Sequence, residues 1–91
     1  MGNERVLFQV EDVFRIPNRG GPILVGRLVS KGKLSIGDRL RWARSDGSIE
    51  ELAVIGIELL PRATPGELNI VVTGQSAESV DSGVLLEKVE R

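Results

Sequence analysis

The chain has 91 residues, 41% of them hydrophobic and 27% charged, with a formal net charge of −1. That length bounds a single domain, residues 1–91, with one modest core. It contains neither cysteine nor histidine, which excludes disulfide staples, thiolate or imidazole metal sites, cysteine nucleophiles and histidine-based triads.

The near-neutral balance lacks the basic excess that drives non-specific nucleic-acid binding. No run approaches the roughly 18 apolar residues of a membrane span, so no membrane partner is expected. Met1-Gly2-Asn3-Glu4-Arg5 leads straight into alternating residues without the apolar stretch of a leader. A lack of cysteine fits a cytoplasmic address.

The dominant period along the chain is two. Val6, Phe8 and Val10 fall on one face of the first segment; the phase then slips at Glu11-Asp12, and Val13 or Phe14 resumes the inward position. A one-residue slip predicts a β-bulge, the device that bends a strand round a barrel corner. Asn18-Arg19-Gly20-Gly21-Pro22 collects turn formers into a loop.

Ile23 to Val29 reads as a strand ending at Ser30-Lys31-Gly32, and Leu34 to Asp38 as a short extended step followed by a turn. Arg39-Leu40-Arg41-Trp42-Ala43 alternates cleanly, with Leu40 and Trp42 opposite the arginines. Asp46-Gly47 is a hairpin signal, and Ile49 to Leu60 is the return strand, interrupted by Gly56. Pro61 to Gly66 is a loop. Glu67 to Thr73 is a strand with Leu68, Ile70 and Val72 on one side, and Val84 to Val89 is the last strand.

Only Ala77 to Val80 offers even one helical turn. Six to seven short strands separated by glycine and proline turns predict an all-β fold, a small closed or nearly closed antiparallel β-barrel.

Three patterns bear on chemistry. Gly21 to Arg27 has the glycine spacing of a phosphate loop, but Arg27 and Leu28 replace its Lys and Ser/Thr, and a strand follows where a helix should. Glu11-Asp12 and Glu50-Glu51 are adjacent carboxylates, and neighbours along a strand point to opposite faces, so neither pair converges on one substrate. Arg39, Arg41 and Arg44 flank Trp42, an arrangement that serves RNA through phosphate charge and stacking, or else an exposed strand face with Trp42 plugging the barrel. Neither a metal nor another cofactor is expected, and no nucleotide is expected to bind this chain alone.

One ordered set of residues resembles domain II of the translational GTPases, the elongation factor Tu type. It runs Val10-Glu11-Asp12-Val13-Phe14-x-Ile16, Asn18-Arg19-Gly20, Val25-Gly26-Arg27, Lys31-Gly32-x-Leu34-x-Ile36-Gly37-Asp38-x-Leu40, Ile55-Gly56-Ile57-Glu58, Ala63-Thr64-Pro65-Gly66 and Ser82-Gly83-Val84-Leu85. The resemblance implies a β-barrel of that type that contacts tRNA or ribosomal RNA. It places Glu11, Asp12 and Phe14 on the strand lining the aminoacyl-end pocket, with Arg19 and Glu58 near the terminal adenosine.

Two positions depart from the family: Val25 stands where a hydroxyl is expected, and Leu68 where an asparagine is expected. The GTPase motifs themselves are absent from these residues. The expected function is therefore a non-catalytic binding module for tRNA, ribosomal RNA or a translation-related protein, using Glu11, Asp12, Phe14, Arg19, Glu58, Arg39 and Arg41. The alternatives are a protein-interaction or structural module without RNA binding and, remotely, a small hydrolase built on carboxylates.

Overall fold

Six strands form where the alternation places them: β1 (Leu7–Phe14), β2 (Ile23–Leu28), β3 (Arg39–Ala43), β4 (Ile49–Glu58), β5 (Glu67–Thr73) and β6 (Leu85–Lys88). They are all antiparallel and close into a barrel in the order β1-β2-β5-β4-β3-β6. This computed structural model describes residues 5–16, 20–30, 32–58, 67–74 and 77–89. The loop expected at Pro61 to Gly66, and Asn18 and Arg19 before it, lie outside the described residues.

The inward positions of every strand fill the barrel. Phe8, Leu24, Leu40, Leu52, Ile70 and Leu86 are wholly buried, each contributing about 1.5–3 kcal/mol of transfer free energy. Trp42 is 8% exposed and joins the same cluster, so its ring is a plug rather than an open stacking platform.

The slip at Glu11-Asp12 is a β-bulge. Val10 stands opposite Gly26 and Asp12 opposite Val25, leaving Glu11 as the extra residue. After it, Val13 packs against the core while Phe14 turns outward. A second bulge lies between Val54 and Gly56 of β4, with Ile55 as its extra residue. Because β1 and β4 each gain one residue, their far halves face outward in phase with β2 and β5.

Gly26 marks a close approach of β2 to β1. A Cβ there would collide with the Gln9 carbonyl oxygen and lie 2.8 Å from the Phe8 ring. The β3–β4 hairpin turns at Ser45-Asp46-Gly47. Gly47 takes φ +91° and its N–H donates to the Arg44 carbonyl at 3.0 Å, while Arg44 N–H donates to Ser48 O at 2.8 Å.

Leu34 to Asp38 forms no strand. Leu34 buries its side chain, and the chain then turns, with Asp38 N–H donating to Ser35 O at 3.0 Å and Ser35 N–H to the Asp38 carboxylate at 2.8 Å. Ala77–Ser79 makes a 3-10 turn, held to the end of β1 by Arg15, whose guanidinium donates to the carbonyls of Glu78 (2.8 Å) and Val80 (2.9 Å).

A candidate ligand-binding face on the outside of the barrel

The two bulges and the β2–β5 pairing bring distant residues into rows on the outer surface. Asp12 lies opposite Val25, Val25 opposite Asn69, and Asn69 opposite Glu58. One step along, Phe14 lies opposite Ile23, Ile23 opposite Val71, and Val71 opposite Gly56. A polar row with a carboxylate at each end therefore runs beside an apolar row.

Ile23 and Val71 are buried although they point away from the core cluster, and Phe14 stands 49% exposed at the end of their row. The apolar row thus has a firm base and one half-free aromatic ring. Val25 is half-buried between the carboxylates.

The acidic residues differ in their engagement. Glu11 sits on the bulge, and its carboxylate meets the Arg27 guanidinium at 3.2 Å, with Arg27 also 3.9 Å from Glu67. Asp12 accepts the N–H of Val13 at 2.9 Å, which steadies the bulge. Glu58 is exposed at the end of β4. Asp12 and Glu58 are separated by three inter-strand steps, about 14 Å along the row. That exceeds the spacing at which two carboxylates share an acid–base reaction.

Asn69 is the residue that sequence reasoning missed. Leu68, at the position read as a departure, is buried in the core, while Asn69 points outward between Val25 and Glu58. Its side-chain oxygen is buried and has no hydrogen-bond partner among the described residues. Period two gave the outward direction of Asn69, but its neighbours depend on the long-range pairing of β5 with both β2 and β4.

Arg39 and Arg41 lie elsewhere. β3 pairs with β4 only over Ile49 to Ala53, so Glu58 lies five residues beyond the last pair, about 16 Å along the strand. Each arginine meets a carboxylate: Arg39–Glu51 at 2.8 Å, Arg41–Glu87 at 3.4 Å and Arg44–Glu50 at 3.7 Å. These exposed pairs add little stability, but each places a negative charge beside the guanidinium that a phosphate would have to approach. Glu50 and Glu51 engage separate arginines, so they too are no convergent pair. Arg19 lies outside the described residues, and the rest of the predicted set, Glu11, Asp12, Phe14 and Glu58, shares the β1-β2-β5-β4 face.

Among the described residues no helix is long and apolar enough to cross a membrane. In comparisons with models of known protein families and with curated protein sequences, this chain matched nothing.

Proposed function

We propose that the chain is a non-catalytic binding module of the translation-factor domain II type, which holds an RNA end, of tRNA or ribosomal RNA, on the outer face of β1, β2, β5 and β4. The small closed antiparallel barrel is compatible with that kinship, and the ordered sequence motifs argue for it.

The observation that carries the reading is the pair of adjacent rows. Asp12 and Glu58 offer hydrogen-bond acceptors on either side of Asn69, and Phe14 beside them offers a half-exposed ring for stacking. Hydroxyls and base amino groups are donors that suit such a row, whereas bare phosphates do not. An unstacked single-stranded end presents those groups, while a duplex hides them.

The test is binding of a labelled tRNA acceptor-stem hairpin, and of ribosomal RNA fragments, at two salt concentrations. The reading expects binding on the order of tens of micromolar that weakens with salt, through the phosphates flanking the end. Lack of binding in that range would overturn it.

A second reading, a protein partner without RNA, is favoured by one observation: the arginines of β3 are already matched with glutamates. Recovery of a defined protein complex after nuclease treatment supports that reading; recovery of nuclease-sensitive material alone counts against it. Among the described residues no convergent carboxylate pair supports catalysis, and GTP hydrolysis by the chain alone would reverse that ranking. The cytoplasm is the proposed location, on the absence of cysteine.

A further inference from the structure

The barrel is incompletely zipped at one seam. Between β3 and β6 the register comprises only Leu40 opposite Lys88 and Arg41 opposite Glu87. β3 continues through Trp42 and Ala43, and β6 begins earlier, at Leu85 and Leu86, yet these four residues do not pair across the seam. On their other sides they are engaged: Trp42 and Ala43 with Glu50 and Ile49, and Leu85 and Leu86 with Gln9 and Phe8.

The direction of the unpaired peptide groups follows from antiparallel geometry, in which successive residues address alternate neighbours. Arg44 N–H donates toward the β4 side, to Ser48, and Arg39 O accepts from Val89 on the β6 side. Ala43 therefore belongs to the set facing β6. Val84 O accepts from Val10, and Lys88 N–H donates to Val6, both on the β1 side, so Leu85 belongs to the set facing β3. The N–H and C=O of Ala43 and of Leu85 thus look into the open seam.

A trough runs over this seam, with Trp42, Ala43 and Leu85 common to both of its halves. Leu7, Ile49 and Leu85 give it an apolar lining, and Ile49 and Leu85 are 63% and 45% exposed. Its rim carries three guanidiniums, Arg5, Arg41 and Arg44, beside the lining carboxylate Glu87, and Arg44 also meets Glu50 at 3.7 Å, so guanidiniums outnumber the carboxylates they meet by three to two. Glu87 serves two of them at once, Arg5 at 3.1 Å and Arg41 at 3.4 Å. The trough is basic at its rim, in contrast to the acidic row on the other face.

We propose that this seam docks an extended acidic segment of a partner protein by strand addition. The seam-facing peptide groups of Ala43 and Leu85 supply main-chain hydrogen bonds, the apolar lining takes alternate side chains, and the guanidinium pair Arg5 and Arg41, which shares the one carboxylate Glu87, takes an intervening carboxylate. Charge complementarity selects the acidic class. The matching backbone donors and acceptors select a peptide over a nucleic acid, which has no such pairing edge. The proposal stands independently of the RNA-end reading, because it uses a different face.

The test uses the whole chain and a short fluorescent peptide alternating glutamate with isoleucine and valine. Its controls are the lysine counterpart and a version N-methylated at alternate peptide bonds. The acidic peptide should bind with salt sensitivity, shift the amide resonances of Ala43 and Leu85, and outperform both controls by about tenfold or more. Arg41→Glu should weaken binding about tenfold while circular dichroism stays unchanged, and Arg44→Glu, farther from Glu87, should act in the same direction if the first variant fails to fold. Equal binding of the three peptides, shifts confined to other strands, or no binding would overturn the proposal. Displacement of the peptide by single-stranded RNA with the same shift pattern would assign the trough to nucleic acid and overturn it as well.

Discussion

Asp12 and Glu58 terminate one outer row of the barrel, joined through Val25 and Asn69 although 46 positions separate them in sequence, counting from 12 to 58. The row exists because a bulge in β1 and another in β4 shift both strands by one residue. A ligand held there would meet exposed carboxylates from two strands, which makes the face sensitive to substitutions that leave the fold alone.

Asp12→Asn and Glu58→Gln should therefore alter stability by no more than about 0.5 kcal/mol, as is usual for exposed sites. Phe14→Ala should cost under about 1 kcal/mol, since half of the ring is already in water. All three should weaken binding of the acceptor-stem hairpin severalfold. Urea titration and fluorescence anisotropy, run on the same preparations, separate the two effects; unchanged binding in all three would remove this face from the account.

Gly26→Ala should destabilise the barrel by about 3 kcal/mol or more, because the new methyl collides with the Gln9 carbonyl and the Phe8 ring. In a domain of this size that lowers the melting temperature by at least about 12 °C. Gly47→Ala is the contrast. No atom lies near its missing side chain, so only the positive φ matters and the cost should be about 1–2 kcal/mol. Equal melting temperatures for the two variants would contradict the close approach of β1 and β2.

Arg15→Ala should release the 3-10 turn from the end of β1. The guanidinium makes two charge-assisted bonds to the Glu78 and Val80 carbonyls, so its loss should cost about 1–2 kcal/mol. Amide exchange at Ala77 to Val80 should quicken, with β2 and β5 unaffected. Exchange that rises evenly across all strands would instead assign Arg15 a global role.

The hairpin turn predicts a pH response. The Ser48 hydroxyl donates to the Asp46 carboxylate at 2.6 Å and the Ser48 N–H at 2.9 Å, and with help from nearby Arg44 they hold its pKa below the ordinary 3.8. As pH falls the unfolded chain takes up this proton first. The contribution of Asp46 is thus complete above 3.8 and is lost as pH drops through the lower folded value. A carbon-detected titration should place Asp46 below 3.8 and Ser48→Ala should raise it; a wild-type midpoint at or above 3.8 would contradict the turn geometry.

Much of this was legible in the sequence, and the limits are physical. The bulge at Glu11-Asp12 showed as a broken period, and the hairpin at Asp46-Gly47 as turn chemistry, because both are local. Leu34 to Asp38 read as an extended step and a turn, and the Ser35–Asp38 bonds close that turn; that Gly37 and Asp38 also bond Val54 of β4 was not legible, because it is a long-range contact. The outward burial of Ile23 and Val71 was only hinted at by the apolar runs around them. Which residues flank Asn69 depends on β5 lying between β2 and β4, and nothing local records that order. The glutamate partners of the β3 arginines follow from the same long-range register.

The outer face of β1, β2, β5 and β4 is the proposed seat of an RNA end. The most direct test of that assignment is an amide-shift map of the isotopically labelled chain titrated with the acceptor-stem hairpin. Shifts should gather at Glu11, Asp12, Phe14, Val25, Asn69 and Glu58 and shrink as salt rises. Shifts gathered instead at Arg39 and Arg41, or no shifts at all, would contradict it.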